Sequence, residues 1–175
     1  MPDTEVAILK DDGSEAGAGE PGEIAVRGPQ VFAGYWRKPE ETAKVFTADG
    51  FLLTGDMGTV DAHGFYRVVD RKKDMIIVSG FKVFPNEVED VVSTLAGVLE
   101  CAAYGVPDER AGEAVKLVVV RKADAAALDE QAVRAHCKKN LVGYKNPAIV
   151  EFRETLPKSP VGKVLRRLLR EGATP

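Results

Sequence analysis

The run from Asp70 to Glu89, D-R-K-K-D-M-I-I-V-S-G-F-K-V-F-P-N-E-V-E, restricts the fold more than any other part of the chain. A charged knot, Arg71 to Asp74, abuts the apolar run Met75 to Val78. Ser79-Gly80 is a tight-turn signal, and a second apolar patch follows it. Pro85 suits the first position of a helix, and Glu87, Glu89 and Asp90 favour its N-terminal dipole. Val88, Val91, Val92, Leu95 and Ala96 then share one helical face, with Gly97 as the stop. A strand, a turn, a strand and an amphipathic helix in succession need a sheet to bury that face.

The remainder of residues 71–175 supplies one. Val98 to Val106, Ala114 to Arg121 and Ala148 to Arg153 read as strands, and Asp129 to Leu141 as a second helix. Val164 to Arg170 reads as a last helix, with Val164, Leu165, Leu168 and Leu169 on one side and Arg166, Arg167 and Arg170 on the other. This alternation predicts a compact two-layer α/β unit. Residues 1–70 read differently. Glu5 to Leu9, Glu23 to Arg27, Phe51 to Thr54, Thr59-Val60 and Phe65 to Val69 are short strands, separated by turns at Gly55-Asp56 and His63-Gly64. Pro39 opens one short helix, and the apolar core is thin for an independent domain. The fold class is therefore α+β, a small β-rich segment followed by an α/β domain.

Charge marks the same boundary. Residues 1–70 hold six basic and thirteen acidic side chains, a net of -7, whereas residues 71–175 hold eighteen and fourteen, a net of +4. The second unit is thus better suited to an anionic ligand. Other chemistries find little material. Cys101 and Cys137 stand alone and read as reduced thiols. Neither His63 nor His136 has partners at metal-ligand spacing, which argues against a zinc site and a histidine-based triad. No apolar run approaches the roughly 18 residues of a membrane helix. The N-terminus lacks the pattern of a signal peptide, so a cytoplasmic protein is expected.

Three constellations could carry chemistry. In Leu53-Thr54-Gly55-Asp56 a carboxylate at a strand end could accept hydrogen bonds from the vicinal hydroxyls of a ribose, or could be a turn aspartate. Arg71, with Lys73 and Asp74, could donate to the same sugar or a phosphate, or be a solvated charge run. Leu156-Pro157-Lys158-Ser159-Pro160-Val161-Gly162-Lys163 is not a P-loop: Pro157 stands where a glycine is required, and Val164 where Ser or Thr is. It presents one lysine at a flexible glycine, which could neutralise charge on a phosphate or belong to a basic solvated tail.

In this order, F-L-L-T-G-D, D-R-K-K-D-M-I-I-V-S-G-F-K-V-F-P-N-E-V-E and L-P-K-S-P-V-G-K-V-L-R-R resemble the signature series of adenylate-forming enzymes. These are the acyl-CoA synthetases, peptide-synthetase adenylation domains and luciferases. Gly34-Tyr35-Trp36 with Pro39-Glu40-Glu41-Thr42 adds a fourth element. The run Asp70 to Val92 and Gly143-Tyr144-Lys145 are most similar to bacterial long-chain fatty-acid–CoA ligases. A peptide-synthetase adenylation domain or a shorter-chain acyl-CoA synthetase is the alternative within the family. A non-catalytic module using Arg166, Arg167 and Arg170 on an anionic partner such as RNA is the alternative outside it, although the pI of about 5.5 disfavours nucleic acid.

The resemblance implies an activity in which an acid and ATP give an acyl-adenylate and pyrophosphate, and coenzyme A then displaces AMP. Asp56 and Arg71 fall on ribose-binding positions, Lys73 on the hinge at 71–74, and Lys163 on the catalytic lysine of adenylation. Ser79, Gly80 and Phe81 fall on the border of the pantetheine tunnel, and Lys82 and Lys138 are candidate contacts for coenzyme A phosphates. No protein metal ligands are expected, because the magnesium that accompanies ATP is held elsewhere in the family. The implied architecture is the C-terminal end of a large domain, 1–70, in a barrel-like subdomain, followed by a mobile lid domain, 71–175. The family's phosphate loop, adenine pocket and acyl pocket have no match here, so the chain is expected to be the C-terminal third of such an enzyme and inactive alone. Its implied partners are fatty acid, ATP, coenzyme A and the rest of the large domain, with a homodimer and peripheral association with the inner membrane face left open. The final helix is short enough to be marginal on its own. The Lys163 loop is therefore expected to be poorly ordered or held by a neighbouring chain.

Overall fold

The structure, a computed structural model, describes residues 2–172. It separates into two compact units, Met1–Lys73 and Asp74–Pro175.

The first unit is an antiparallel meander of β1 (Glu5–Leu9), β2 (Gly22–Arg27), β3 (Leu52–Val60) and β4 (Tyr66–Arg71), with α1 (Pro39–Val45) inserted before β3. The sheet curls without closing into a barrel. The Tyr66 hydroxyl on one edge strand donates to the Val6 carbonyl on the other at 2.7 Å. Among the described residues, however, no backbone ladder joins those edges. The interior is small, centred on Ile8, Ala25 and Met57, while Trp36, Phe65 and Val68 stay exposed. Gly55-Asp56, expected as a turn between two short strands, instead lies inside the nine-residue β3. Gly55 takes φ 75°, a conformation that costs glycine little, and the pairing with β4 shifts register between Met57 and Gly58. The bulge keeps the strand continuous where a turn was expected.

The second unit is a sheet with helices on one face and a partial cover on the other. Hairpin β5 (Ile76–Val78) and β6 (Phe81–Val83) turns at Ser79 and Gly80, with φ of 50° and 85°. Both values are positive, as a two-residue type I′ turn requires. Helix α2 (Pro85–Ser93) stops four residues before Gly97, at the Thr94 cap. Strands β7 (Val98–Asp108) and β8 (Gly112–Arg121) form a long antiparallel ladder. Helix α3 (Glu130–Asn140) starts at Asp129, whose carboxylate accepts from the Ala132 amide at 2.8 Å. Strand β9 (Ile149–Arg153) then pairs in parallel with β8.

Strand periodicity explains why this unit has two cores. Ala103 of β7 with Val115, Leu117 and Val119 of β8 face Val88 and Val92 of α2 and Val133 and Cys137 of α3. Their neighbours Ala102, Tyr104, Val118 and Val120 face the other way, against Leu156, Val164 and Leu169. Leu169 belongs to α4 (Arg166–Arg170), which is two residues shorter at its start than the sequence suggests. Both cysteines are free. Burial pushes the Cys101 thiol up to about 12, and the Cys137 thiol is raised for the same reason.

Two outcomes follow. Leu117→Ala, at a position with no exposure, should destabilise the second unit by about 2–5 kcal/mol in urea unfolding, because a cavity is left behind. Iodoacetamide at neutral pH should label neither thiol in the folded chain and both in denaturant. Rapid labelling of the folded chain would contradict the thiol environment described above.

Candidate functional site

In the first unit the structure brings Asp56 and Arg71 together. They are cross-strand partners on β3 and β4, and the Arg71 Nε lies 2.8 Å from the Asp56 Oδ1. Arg71, read from the sequence as part of a charged run, is the last residue of β4. The Asp56 side chain is 33% exposed and that of Arg71 51% exposed, so an acceptor and a donor group stand side by side within reach of a ligand. Their backbone is held from below. The Gly55 amide donates to the Glu23 carboxylate at 3.0 Å, and the same side chain pairs with Lys72 at 2.7 Å. The Thr54 hydroxyl donates to the Ile24 carbonyl at 2.7 Å. Glu23 is nearly buried, so its pairing with Lys72 and Gly55 satisfies a charge that would otherwise be costly. Sequence reasoning passed over Glu23, which alternation alone marked only as a strand residue. Asp70, the residue just before the charged knot, is also buried and accepts from the Arg71 amide at 2.8 Å. Lys73 lies on the 3-10 turn Lys72–Asp74 and is exposed.

In the second unit Ser79 and Gly80 form the exposed β5–β6 turn, tied back by the Ser79 amide to the Ala111 carbonyl at 2.8 Å. Phe81 follows, half exposed, and stacks on Tyr144 with ring centroids 4.6 Å apart and an 18° interplanar angle. Tyr144 sits on the 3-10 turn Gly143–Lys145, which Lys145 anchors to Glu87 of α2 at 2.7 Å. The sequence reading used Tyr144 as a marker of likeness and missed this packing role. An aromatic flanked by glycine and lysine was the available signal. Lys82 is half-buried on β6, whereas Lys138 is exposed on the last turn of α3. Lys138 lines an open cavity of about 400 Å³ together with Arg134, Leu141, Gly143, Asn146 and Pro147. The Gly143–Lys145 turn thus borders both that cavity and the Phe81 ring.

Lys163 occupies a closed hairpin rather than a loose tail. Lys158 and Val164 pair as a β-bridge, the Ser159 amide donates to the Lys163 carbonyl at 2.8 Å, and Gly162 turns the chain at φ 80°. The Leu165 amide donates to the Pro157 carbonyl at 2.8 Å. Contacts within the chain therefore order this backbone, contrary to the expectation from helix length alone, because Leu169 is buried and the flanking cations are paired. Lys158 pairs with Glu100 at 2.5 Å. Arg166 meets Glu89 through two nitrogens at 2.7–3.1 Å and donates to Asn86 at 2.7 Å. Arg170 lies 3.5 Å from Asp74, and Arg167 pairs with Glu171 at 2.8 Å. All three arginines proposed as an anion-binding face thus have carboxylates of this chain as partners. The Lys163 side chain, by contrast, is exposed at the hairpin end.

Among the described residues no group of three or more His, Cys, Asp or Glu side chains could hold a metal ion, and no helix is long and apolar enough to cross a membrane.

Comparison with known proteins finds relatives over nearly the whole chain. Residues 87–163 match the AMP-binding enzyme C-terminal domain. Over 171 residues the chain is 55% identical to a long-chain-fatty-acid–CoA ligase of Yersinia pestis, covering 98% of this chain and 30% of that protein. Over 174 residues it is 48% identical to a ligase of the same name from Bacillus subtilis (strain 168), covering 99% of this chain and 31% of that one. ATP-bound MatB from Rhodopseudomonas palustris matches with a TM-score of 0.91 and 39% identity, covering 98% of this chain and 34% of MatB. The chain spans about a third of the length of these relatives, at their C-terminal part. Residues 87–163 thus carry the AMP-binding enzyme C-terminal domain, and the chain as a whole is similar to the C-terminal third of enzymes named long-chain-fatty-acid–CoA ligase.

Proposed function

We propose that this chain is the lid-bearing third of an ATP-dependent long-chain fatty acyl–CoA ligase. In the first half-reaction a fatty-acid carboxylate oxygen attacks the α-phosphorus of ATP, and pyrophosphate leaves. In the second, the thiol sulfur of coenzyme A attacks the acyl carbonyl, loses its proton, and AMP leaves. The observation that supports this most directly is the paired, partly exposed Asp56 and Arg71 on adjacent strands. A carboxylate there can accept from both ribose hydroxyls while the guanidinium donates to the sugar or a phosphate. The proposed magnesium accompanies the ATP, with its protein ligands outside this chain.

Lys163 is the proposed catalytic residue of the first half-reaction. Its ammonium, displayed on an ordered hairpin, would offset negative charge gathering around the α-phosphorus, an effect worth about 10²–10³ in rate. Ser79, Gly80 and Phe81 are the proposed border of the pantetheine passage. Gly80 leaves the turn without a side chain at a point where a Cβ would meet nothing within 4 Å. Lys82 and Lys138 are proposed contacts for the phosphates of coenzyme A, Lys138 from the rim of its cavity. Lys73 is the proposed hinge, between a first domain of 1–70 and a lid of 71–175. The reading includes the body of the large domain as the required partner. It also places the enzyme in the cytoplasm, with peripheral contact with the inner membrane face where its fatty-acid substrates partition.

Two measurements test this reading. In the intact ligase, Lys163→Ala should slow acyl-adenylate formation about 10²–10³-fold and leave thioester formation from supplied acyl-adenylate near its normal rate. Equal loss in both half-reactions would remove the assigned role. The 175-residue chain alone should show no micromolar affinity for ATP by calorimetry, because the rest of the nucleotide pocket lies outside it. Micromolar binding would contradict this division of the site.

A further inference from the structure

Lys163 is followed three residues later by Arg166, whose side chain is only 14% exposed. Its guanidinium makes a forked contact with Glu89 on α2 and a further bond to Asn86. Glu89 does more than balance that charge. One of its oxygens accepts from the Ala103 amide of β7 at 2.7 Å. β7 is an edge of the sheet, since β8 is its partner on one side and no strand among the described residues pairs with it on the other. Glu89 therefore bonds the free edge of β7 and Arg166 simultaneously. Asp74 completes the cluster, 3.8 Å from Arg166 and 3.5 Å from Arg170, with its own side chain 15% exposed. The arrangement spans the sheet edge, because α2 packs on one face through Val88 and Val92 while α4 packs on the other through Leu169.

We propose that Glu89 and Arg166 are positioning residues for Lys163: their ion pair clips the Lys163 hairpin to the edge of β7 and to α2, and so fixes where the catalytic ammonium is presented. This rests on the adenylation role proposed for Lys163. The hairpin has one anchor on each side. Lys158 pairs with Glu100 before the turn, and Arg166 pairs with Glu89 after it. Between them only Val164 packs on the core, and it is partly buried, so that contact, the hydrogen bonds within the hairpin and these two pairs hold the lysine in place. A forked guanidinium–carboxylate contact fixes orientation as well as distance, which a lysine at position 166 could not reproduce. Asp74 extends the same cluster to the first residue of the second unit.

The test has a structural and a kinetic arm. In the 175-residue chain, Glu89→Gln should speed amide exchange at Gly162, Lys163 and Leu165 at least tenfold while the β8 amides keep their protection. Unchanged exchange in the hairpin, or equal acceleration in β8, would overturn the clip. Arg166→Lys serves as a second variant should Glu89→Gln fail to fold, with the same two readings. In the intact ligase Glu89→Gln should slow adenylation about ten- to a hundredfold, as expected for a displaced catalytic group. Thioester formation from supplied acyl-adenylate should be unchanged, and in a Lys163→Ala background Glu89→Gln should cost nothing further. A loss that multiplies with that of Lys163→Ala, or falls equally on both half-reactions, would show a general structural role and overturn the proposal. Adenylation that survives Glu89→Gln but not Lys163→Ala would overturn the positioning role alone. Adenylation that survives Lys163→Ala would remove the function reading on which it rests.

Discussion

The β7–β8 ladder, running from Val98–Arg121 to Asp108–Gly112, is the element on which the second unit depends. Its alternating side chains divide two cores between two faces, so helices α2 and α3 and the segment ending in α4 are held by the same pair of strands. A ladder committed on both faces cannot slip register by one residue without exchanging the two cores. That rigidity lets a short helix and a tight hairpin, neither stable alone, hold a defined place. The free edge of β7 is also where the ion-pair cluster forms, so the ladder fixes both packing and charge.

Electrostatics in both units follows one pattern. A nearly buried carboxylate binds a backbone amide and a cation together: Glu23 with Gly55 and Lys72, Glu89 with Ala103 and Arg166. Removing Arg166 would leave the mostly buried Glu89 uncompensated at a cost of about 3–5 kcal/mol, whereas Lys72 is 45% exposed and its loss from Glu23 is softened by solvent. Each pair lies beside a group proposed for chemistry, Asp56 in the first unit and Lys163 in the second. The groups meant to meet ligands stay exposed, and the cost of ordering them is met by partners one layer deeper.

Much of this was legible in the residues. The helix opened by Pro85, the Ser79-Gly80 turn and the strands flanking it follow from periodicity and turn chemistry. Asp56 and Lys163 stood out as charged groups at a strand end and a glycine turn, and Arg71 as the first cation of the charged run Arg71 to Asp74. What was not legible was tertiary. Gly55 looked like a turn because glycine marks turns and bulges alike, and only its pairing partners distinguish them. Arg166 looked like a solvated cation because its partner Glu89 lies 77 residues away. Glu89 itself looked like a helix-dipole residue, which local rules support and which reveals nothing of β7. The Lys163 hairpin was expected to be loose for the same reason: helix length was visible, but the burial of Leu169 was not.

Under the proposed function the second unit carries two separate working surfaces on one sheet, the Lys163 hairpin for adenylation and the Ser79–Phe81 turn, backed by Tyr144, for thioester formation. The measurement that tests this most directly is single-turnover kinetics of the two half-reactions in the intact ligase carrying Phe81→Ala. Transfer from supplied acyl-adenylate to coenzyme A should fall about tenfold or more, by loss of the positioned ring, while adenylation keeps its normal rate. Equal loss in both half-reactions, or loss confined to adenylation, would contradict the division of the unit into two surfaces.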